Sequence, residues 1–233
     1  MKHATRATGG PAAVPPTGQA VADACRRMTG AAPVTGTQAE ALAAYLGLLV
    51  KWNKAMNLVG PGDWRTMLDD LVADSLHLVT FLPGLGLPCA PRVLDLGAGA
   101  GLPGIPLRVM WDAGEYTMVE VRDKRAVFLQ TAVAALGLGR TRVFAGRAED
   151  ALARHAPVDM IVSRAFMPWR ALLDFVRGPL DAPFLAAHGR VVFLASEPAP
   201  EGGAMPDGWR VAAQAGYRAG GKDRWFWAVA PGR

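Results

Sequence analysis

Residues 93–106 join an apolar run to a glycine-rich loop and read Val93-Leu94-Asp95-Leu96-Gly97-Ala98-Gly99-Ala100-Gly101-Leu102-Pro103-Gly104-Ile105-Pro106. The apolar run predicts a buried strand. The glycines predict a sharp turn where a ligand lies close to the backbone, because a Cβ atom would intrude there. Ligands bind at the carboxyl ends of the strands in open α/β sheets. The stretch therefore predicts the ligand site of an α/β fold, with the Asp95 carboxylate at its edge.

Apolar, β-branched runs alternate with helical stretches after residue 90, which is the pattern of a parallel sheet with crossover helices. The predicted strands of this sheet are 92–95, 116–120, 142–145, 158–162 and 190–194. Two last extended runs, 209–213 and 225–229, predict an antiparallel hairpin, because a tight turn can join such a pair. Five parallel strands followed by a hairpin predict a Rossmann-like α/β sheet of the class I methyltransferase type.

The chain before this sheet has a different composition. Its first part is rich in Ala, Pro, Gly and Thr and lacks periodic apolar positions, so we expect a largely disordered leader. Apolar residues then recur at helical spacing in two stretches, which predict a small helical cap. The expected organisation is a leader at 1–35, a helical cap at 36–88 and a methyltransferase domain at 89–233.

Capping residues define the two predicted cap helices. Thr37 and Glu40 have the spacing of a capping box ahead of a helix at about 38–54. Asp63 is the predicted N-cap of a second amphipathic helix, which ends near Pro83.

Composition and charge restrict the function classes. The net charge of +5 favours a polyanionic partner, although a solvated basic surface explains it equally well. The longest apolar run, 41–50, is far short of the roughly 20 residues that a membrane-spanning helix needs. Cys25 and Cys89 form neither a metal site nor a disulfide framework. We expect a cytoplasmic monomer with no membrane span and no metal.

Polar residues at the ends of the later strands extend the predicted ligand site. Glu120 ends the second strand, where its carboxylate is placed to accept both hydroxyls of a ribose. Ala148 and Glu149 follow the third strand, where they can frame an adenine, although Glu149 also fits a solvated residue at a helix start. Arg164 ends the fourth strand, where its guanidinium would lie beside the methyl group that is transferred. Alternatively, Arg164 forms a salt bridge with Asp95 or Glu120.

The glycine-rich loop by itself is compatible with more than one ligand. Residues 99–104 also satisfy G-x-G-x-x-G, the pattern of a dinucleotide site, and a purely structural turn is a further alternative. Asp95 suits the cationic methionine portion of S-adenosylmethionine, whereas a phosphate-binding loop has no use for a negative charge. Two prolines in the first helical turn and the terminal hairpin also argue against NAD. The residues thus favour an S-adenosylmethionine-dependent methyltransferase, with Asp95, Gly99 and Gly101 at its cofactor.

Six segments between about residues 45 and 194 carry more specific motifs. They are KWNKAMNL at 51–58, DSL at 74–76, LDLGAGAGLPGIPL at 94–107, KRAVFL at 124–129, GRAE at 146–149 and IVSRAF at 161–166. Together they resemble the RsmG (GidB) family, whose members methylate N7 of one guanine in the decoding-region loop of bacterial 16S ribosomal RNA. The resemblance implies the same activity here, with the 30S subunit or its RNA as partner.

The resemblance also implies site residues. The expected cofactor contacts are Gly97, Leu102, Glu120, Ala148, Glu149 and Arg164. The expected contacts with RNA include Asn57, Asp74 and Ser75 from the family motifs. As further contacts we expect the basic residues Lys124, Arg125 and Arg147, and Trp169, which lies in a predicted loop at the cleft. Trp52 and Trp64 are further candidates for stacking on the target base, although the helical spacing of Trp52 favours the apolar core.

The chain departs from the family pattern at two places. Asp70 and Leu71 stand where the family has Arg-His, and Ser196 stands where a Lys usually follows the fifth strand. Both departures remove positive charge near the expected RNA face. Either other basic residues bind the RNA, or the chain acts on another RNA or a small molecule, or it binds cofactor at the ribosome without turnover.

The expected chemistry needs little from the protein. Guanine N7 has its own lone pair, and S-adenosylmethionine supplies an electrophilic methyl group, so positioning and charge placement suffice. We therefore assign no general base and expect Arg164 to act by orienting the reactants. The guanine must be presented unstacked or single-stranded.

Overall fold

The computed structural model describes residues 14–178, 183–201 and 204–232, which form one seven-stranded sheet with helices on both faces. The strands are β1 (Arg92–Leu96), β2 (Glu115–Glu120), β3 (Thr141–Ala145), β4 (Val158–Ser163), β5 (Leu185–Ala195), β6 (Trp209–Ala219) and β7 (Lys222–Pro231). Their order across the sheet is β3-β2-β1-β4-β5-β7-β6. The first five are parallel, and β7 is antiparallel to β5 and β6. The predicted architecture of five parallel strands and a terminal hairpin is confirmed.

Helices cover the sheet on both sides. They are α1 (Gly18–Arg26), α2 (Gly36–Met56), α3 (Trp64–Met67), α4 (Ala73–Phe81), α5 (Gly104–Met110), α6 (Asp123–Ala135), α7 (Ala148–His155) and α8 (Trp169–Arg177). Successive strand residues face opposite sides, so the sheet has two cores. Tyr116 and Met118 pack with α2, α4, α5 and α6, whereas Val119 and Ile161 pack with α7 and α8. Within the described ranges, no helix combines the length and apolar character needed to cross a membrane.

The terminal hairpin is longer than the sequence pattern predicts. Both strands extend to a two-residue turn at Gly220 and Gly221, whose φ angles are 58° and 73°. Positive φ at both central residues gives the turn that matches the twist of a hairpin, and glycine adopts it without strain. Ala219 and Lys222 pair directly across this turn. The prediction ended the first strand at 213 because the residues that follow are small or polar.

The prediction of a disordered leader is wrong for its second half. Thr17 caps α1 by accepting a hydrogen bond from the N–H of Ala20, and α1 packs against α2 through Val21, Ala24 and Cys25. These residues have the helical spacing i, i+3 and i+4, but the prediction followed the Ala-, Pro- and Gly-rich composition of the leader instead. Residues 1–13 lie outside the described part of the chain.

The cap helices begin at identifiable N-caps. The capping box of α2 is formed by Thr35 and Gln38, two residues before the predicted Thr37 and Glu40. Asp63 caps α3 as predicted. The chain then continues through a π-helical segment, Leu68–Val72, into α4 and a last 3₁₀ turn, Leu82–Leu85.

The cap contacts the glycine-rich loop directly. The Tyr45 hydroxyl on α2 donates to the carbonyl of Ala100 at 2.8 Å, and the Ser75 hydroxyl on α4 donates to the carbonyl of Pro103 at 3.0 Å. Both hydroxyls are buried. Two helices of the cap therefore hold the backbone of the loop in place.

Candidate active site

The glycine-rich loop leaves the carboxyl end of β1 and turns back toward α5. Gly97, Gly99 and Gly101 all have positive φ, and Gly101 is the most constrained of them at 78°. A Cβ atom there would lie 2.7 Å from Cγ1 of Ile105. The N–H groups of Gly97 and Ala98 donate to the carbonyl of Val119 at 3.0 Å, which joins the loop to β2.

A cavity of about 390 Å³ opens at the carboxyl ends of β1, β2 and β3, and we call it the first cavity. It is lined by Gly97, Val119, Glu120, Val121, Arg122, Arg125, Gly146, Arg147, Ala148, Glu149, Ala165 and Phe166. The structure thus brings together Gly97, Glu120, Ala148 and Glu149, which the sequence predicts as cofactor contacts. Gly99, Gly101 and the largely buried Leu102 form the loop behind this wall.

Glu120 is the buried acid of the first cavity. Its Oε2 accepts the N–H of Gly99 and its Oε1 accepts the N–H of Arg122, both at 2.9 Å. Each carboxylate oxygen has a second lone pair, so both oxygens can still accept a hydroxyl. Two backbone N–H groups therefore fix the carboxylate in an orientation suited to a ribose.

Asp95 lies beneath the loop and is absent from the described wall of the first cavity. It is 1% exposed, and its Oδ2 accepts a hydrogen bond from the Tyr116 hydroxyl at 3.1 Å. Burial raises the pKa of the Asp95 carboxyl to about 7, against the lowering effects of Tyr116, the Gly104 N–H and Arg164. We therefore revise the expected contact with a cationic ligand: Asp95 supports the loop from below.

The basic residues predicted for RNA surround the mouth of the first cavity. Arg125 and Arg147 line it, and Lys124 is exposed nearby on α6. Arg147 donates to Oε1 of Glu149 at 3.0 Å. Glu149's own backbone N–H and then the Arg147 guanidinium lower the pKa of its carboxyl. Glu149 is thus both a cavity residue and the exposed acid at a helix start.

Arg164 forms neither of the salt bridges that the sequence left open. Its Nη2 lies 3.2 Å from Oδ2 of Asp74 on α4. The same carboxylate accepts hydrogen bonds from Arg224 Nη1 at 2.7 and 2.8 Å and from the Tyr217 hydroxyl at 2.9 Å. We call Asp74, Arg164, Tyr217 and Arg224 the Asp74 cluster.

A second cavity of about 290 Å³ lies beside the first, at the carboxyl ends of β4 and β5. It is lined by Asp74, Arg164, Ala165, Leu194, Ala195, Ser196, Tyr217, Lys222, Asp223 and Arg224. Ala165 belongs to the walls of both cavities. The two cavities thus adjoin where β4 ends, and the second one contains the Asp74 cluster.

Burial changes the role of two residues expected to contact RNA. Asp74 is 2% exposed and Ser75 is fully buried. Ser75 therefore offers no surface to RNA, whereas Asp74 reaches only the wall of the second cavity. Asn57 is exposed, but it also ends α2 in a left-handed conformation with φ of 48°. Its contact with RNA stays a prediction.

The three tryptophans predicted as stacking surfaces all have partners inside the protein. Trp52 lies edge-on to Phe128 with ring centroids 5.6 Å apart, and Trp169 lies edge-on to Trp227 at 5.5 Å. Trp64 is buried. None of the three is among the described residues that line the first or second cavity.

Sequence reasoning missed the residues that the hairpin contributes. Lys222, Arg224 and Tyr217 line the second cavity although they lie far along the chain from the glycine-rich loop. Because β7 runs antiparallel to β5, its first residues lie beside the last residues of β5, as the pairing of Trp225 with Ala195 shows. The predicted hairpin itself was the signal that could have placed them there.

The two departures from the family pattern lie near this hairpin. Ser196 is exposed and lines the second cavity. Asp70 lies against the hairpin turn, since a Cβ atom on Gly220 would collide with its carboxylate, and Leu71 packs against the core. Ser196 supplies no positive charge where the family usually has a Lys. Lys222 and Arg224 supply positive charge to the same cavity instead.

The described residues offer no group of three or more His, Cys, Asp or Glu side chains that could hold a metal ion. A larger cavity of about 580 Å³ lies between Arg27, His77 and the hairpin turn. It contains no part of the glycine-rich loop, so it is not a candidate for the cofactor.

Solved structures with the same architecture support the fold class. A mutant of MtNAS in complex with S-adenosylmethionine has a TM-score of 0.54 at 15% identity, covering 85% of this chain and 79% of that one. A putative methyltransferase, yhhF from Escherichia coli, has a TM-score of 0.51 at 17% identity, covering 69% and 87%. At these identities the similarity shows the fold alone, which is the expected methyltransferase fold.

Sequence comparisons reach further than the fold. The family model of GidB, rRNA small subunit methyltransferase G, matches residues 38–197. A ribosomal RNA small subunit methyltransferase G of Nitratidesulfovibrio vulgaris is 54% identical over 194 residues, covering 82% of this chain and 85% of the relative. Another from Oleidesulfovibrio alaskensis is 47% identical over 206 residues, covering 85% and 86%. The resemblance drawn from the motifs is confirmed, and the chain belongs to the rRNA small subunit methyltransferase G family.

Proposed function

We propose that this enzyme transfers a methyl group from S-adenosylmethionine to N7 of a guanine in the decoding-region loop of 16S ribosomal RNA in the small subunit. One observation carries the proposal. Two cavities of about 390 and 290 Å³ adjoin at Ala165, one lined by the Glu120 carboxylate and the other by a cluster of cations.

The first cavity suits S-adenosylmethionine. The Glu120 carboxylate lines it and would accept the ribose hydroxyls, and Ala148 and Glu149 begin α7 where the adenine would lie. The methionine portion would follow the glycine-rich loop toward Gly97 and Ala165. The complex of MtNAS with S-adenosylmethionine supports this choice of cofactor for the shared fold.

The second cavity suits the acceptor base. The N7 lone pair forms a bond to the methyl carbon while the carbon–sulfur bond breaks, sulfur keeps the electron pair, and the purine becomes cationic. No proton moves, so the site needs no general base. Guanine O6 is an acceptor beside N7, and Arg164 can donate to it and so orient the base for attack.

The charges of the second cavity favour an RNA acceptor over a neutral small molecule. Arg164, Lys222 and Arg224 line it together with Asp74 and Asp223, so cations exceed anions by one. Positive charge attracts the phosphates that flank an unstacked base. The hairpin can thus replace the basic residues that the family pattern places elsewhere.

As the acceptor is ribosomal RNA, we place the enzyme in the cytoplasm and expect it to act as a monomer.

The test is labelled methyl transfer to 30S subunits isolated from cells that lack this gene, with mass mapping of the product nucleotide. A single N7-methylguanine in the decoding-region loop would support the proposal. Arg164→Ala should abolish transfer and leave the fold intact by circular dichroism. Transfer to another RNA would contradict the proposed acceptor, and cofactor binding without any transfer would contradict the proposed activity.

A further inference from the structure

We propose that Asp74 and Arg224 are positioning residues that hold the Arg164 guanidinium at the junction of the two cavities. The terminal hairpin thereby takes part in methyl transfer, although it lies outside the five parallel strands that carry the cofactor. The role of Arg164 in turnover, on which this inference rests, is part of the proposed function.

The Asp74 cluster joins three separate parts of the fold. Asp74 belongs to α4, Arg164 follows β4, and Tyr217 and Arg224 face each other across β6 and β7. Arg224 Nη1 contacts both Asp74 oxygens, and the Tyr217 hydroxyl takes a second position on Oδ1. The Arg164 guanidinium pairs with the other oxygen, with Nη2 3.2 Å from Oδ2. The other donors therefore restrict the place where its guanidinium can pair.

The charges explain why the cluster holds its shape. A buried carboxylate is costly without partners, and Asp74 has two guanidinium partners and a phenol. Burial and the Asp74 charge raise the pKa of the Tyr217 hydroxyl, so it stays a neutral donor. One anion between two cations leaves a single net positive charge. Of the described contacts, Arg164 makes only the one with Asp74, so its remaining N–H groups are available to a substrate.

Aromatic rings pack beneath the cluster. The Tyr217 ring stacks on Phe226 with centroids 4.3 Å apart and packs against His77 at 4.6 Å. The side chain of Arg224 is 17% exposed and that of Arg164 is 22% exposed. The hairpin is therefore built to present Arg224 at one position, rather than to carry a mobile surface arginine.

The competing explanation is that the cluster only clamps α4 to the hairpin. Under that explanation, loss of Arg224 lowers stability but leaves the Arg164 guanidinium ordered and turnover per folded molecule unchanged. Under the proposal, Arg164 loses its fixed orientation while the cofactor cavity, which contains neither Asp74 nor Arg224, still binds S-adenosylmethionine.

The test compares Arg224→Gln with Arg210→Gln in the full chain. Arg210 is an exposed arginine on the same hairpin, at the end far from the turn. The first readout is the 15N spectrum of the arginine Nε–H groups, with the Arg164 signal assigned by Arg164→Lys. The expected result is that Arg224→Gln broadens or shifts this signal and Arg210→Gln does not. An unchanged Arg164 signal in folded Arg224→Gln protein would overturn the proposal.

The second readout is turnover on 30S subunits at saturating S-adenosylmethionine. Arg224→Gln should lower kcat about tenfold or more, since small misplacements at a reacting centre have effects of that order, with cofactor Kd within about twofold. In an Arg164→Lys background, Arg224→Gln should lower kcat less than about twofold, because Arg224 acts through Arg164. Equal losses in both backgrounds would overturn the proposal.

The two readouts separate the two claims. If wild-type protein transfers no methyl group to 30S subunits, the proposed function fails, while the spectrum still decides whether Arg224 holds Arg164. Asp74→Asn gives a second perturbation of the same cluster, and thermal unfolding identifies any variant that fails to fold.

Discussion

Replacing Glu120 by glutamine should weaken S-adenosylmethionine binding about 10- to 100-fold. Glu120 is 5% exposed, and each of its oxygens already accepts a backbone N–H, from Gly99 and from Arg122, at 2.9 Å. A glutamine keeps one acceptor oxygen, and its NH₂ group must face either a backbone N–H or a ribose hydroxyl. The loss of one hydrogen bond to a charged group costs about 1.5–3 kcal/mol. Each 1.4 kcal/mol is about tenfold in Kd.

Isothermal titration calorimetry of S-adenosylmethionine measures this effect. The matched control is Glu115→Gln, because Glu115 begins the same strand, is exposed and lies at the opposite edge of the sheet. We expect the control to bind within about twofold of the wild type, as surface substitutions rarely exceed about 0.5 kcal/mol. A Glu120→Gln variant that is folded and binds like its control would refute the placement of the ribose.

Three further substitutions test other parts of the structure. Tyr45→Phe removes the hydrogen bond to Ala100 and should lower the free energy of unfolding by about 1–2 kcal/mol, measured by urea denaturation; no loss would mean that the cap does not hold the loop. Gly101→Ala should destabilise more than Gly137→Ala, because both glycines have positive φ but only Gly101 is crowded by a neighbour; equal losses would contradict the packing. Asp95→Asn tests the carboxyl whose pKa burial raises to about 7. Folding favours the protonated form of the Asp95 carboxyl. Asp95 therefore stabilises the folded state fully at low pH, and this stabilisation is lost as the pH rises through about 7. The variant should therefore gain stability relative to the wild type from pH 5 to pH 8, and a constant difference would show that Asp95 has no raised pKa.

The fold and the first cavity could be predicted because their signals are local. The glycine-rich loop follows directly after β1, and Glu120 ends the next strand along the chain, so both arrive at one edge of a parallel sheet. Helix α1 was not predicted although its buried residues, Val21, Ala24 and Cys25, have helical spacing, because the composition of the leader, rich in Pro and Gly, indicated disorder.

The Asp74 cluster could not be predicted from spacing. Asp74 and Arg224 are 150 residues apart, and nothing in either local pattern indicates a pair. The sequence marked Asp74 and Ser75 only through a family motif, and such a motif does not distinguish a buried structural residue from an RNA contact. The burial of both residues indicates a structural role, and the order of the sheet, with β7 beside β5, explains how Asp74 meets Arg224.

Three acids of this site, Asp74, Asp95 and Glu120, are almost equally buried yet differ in what they can do. The negative charge of Asp74 is neutralised within the protein by two guanidinium groups. Asp95 has a phenol but no ion-pair partner among the described residues, so burial favours its neutral form. Glu120 alone meets two backbone N–H groups and still faces a cavity. Loss of each acid should therefore be measured differently: the Arg164 signal for Asp74, the pH dependence of stability for Asp95, and cofactor affinity for Glu120.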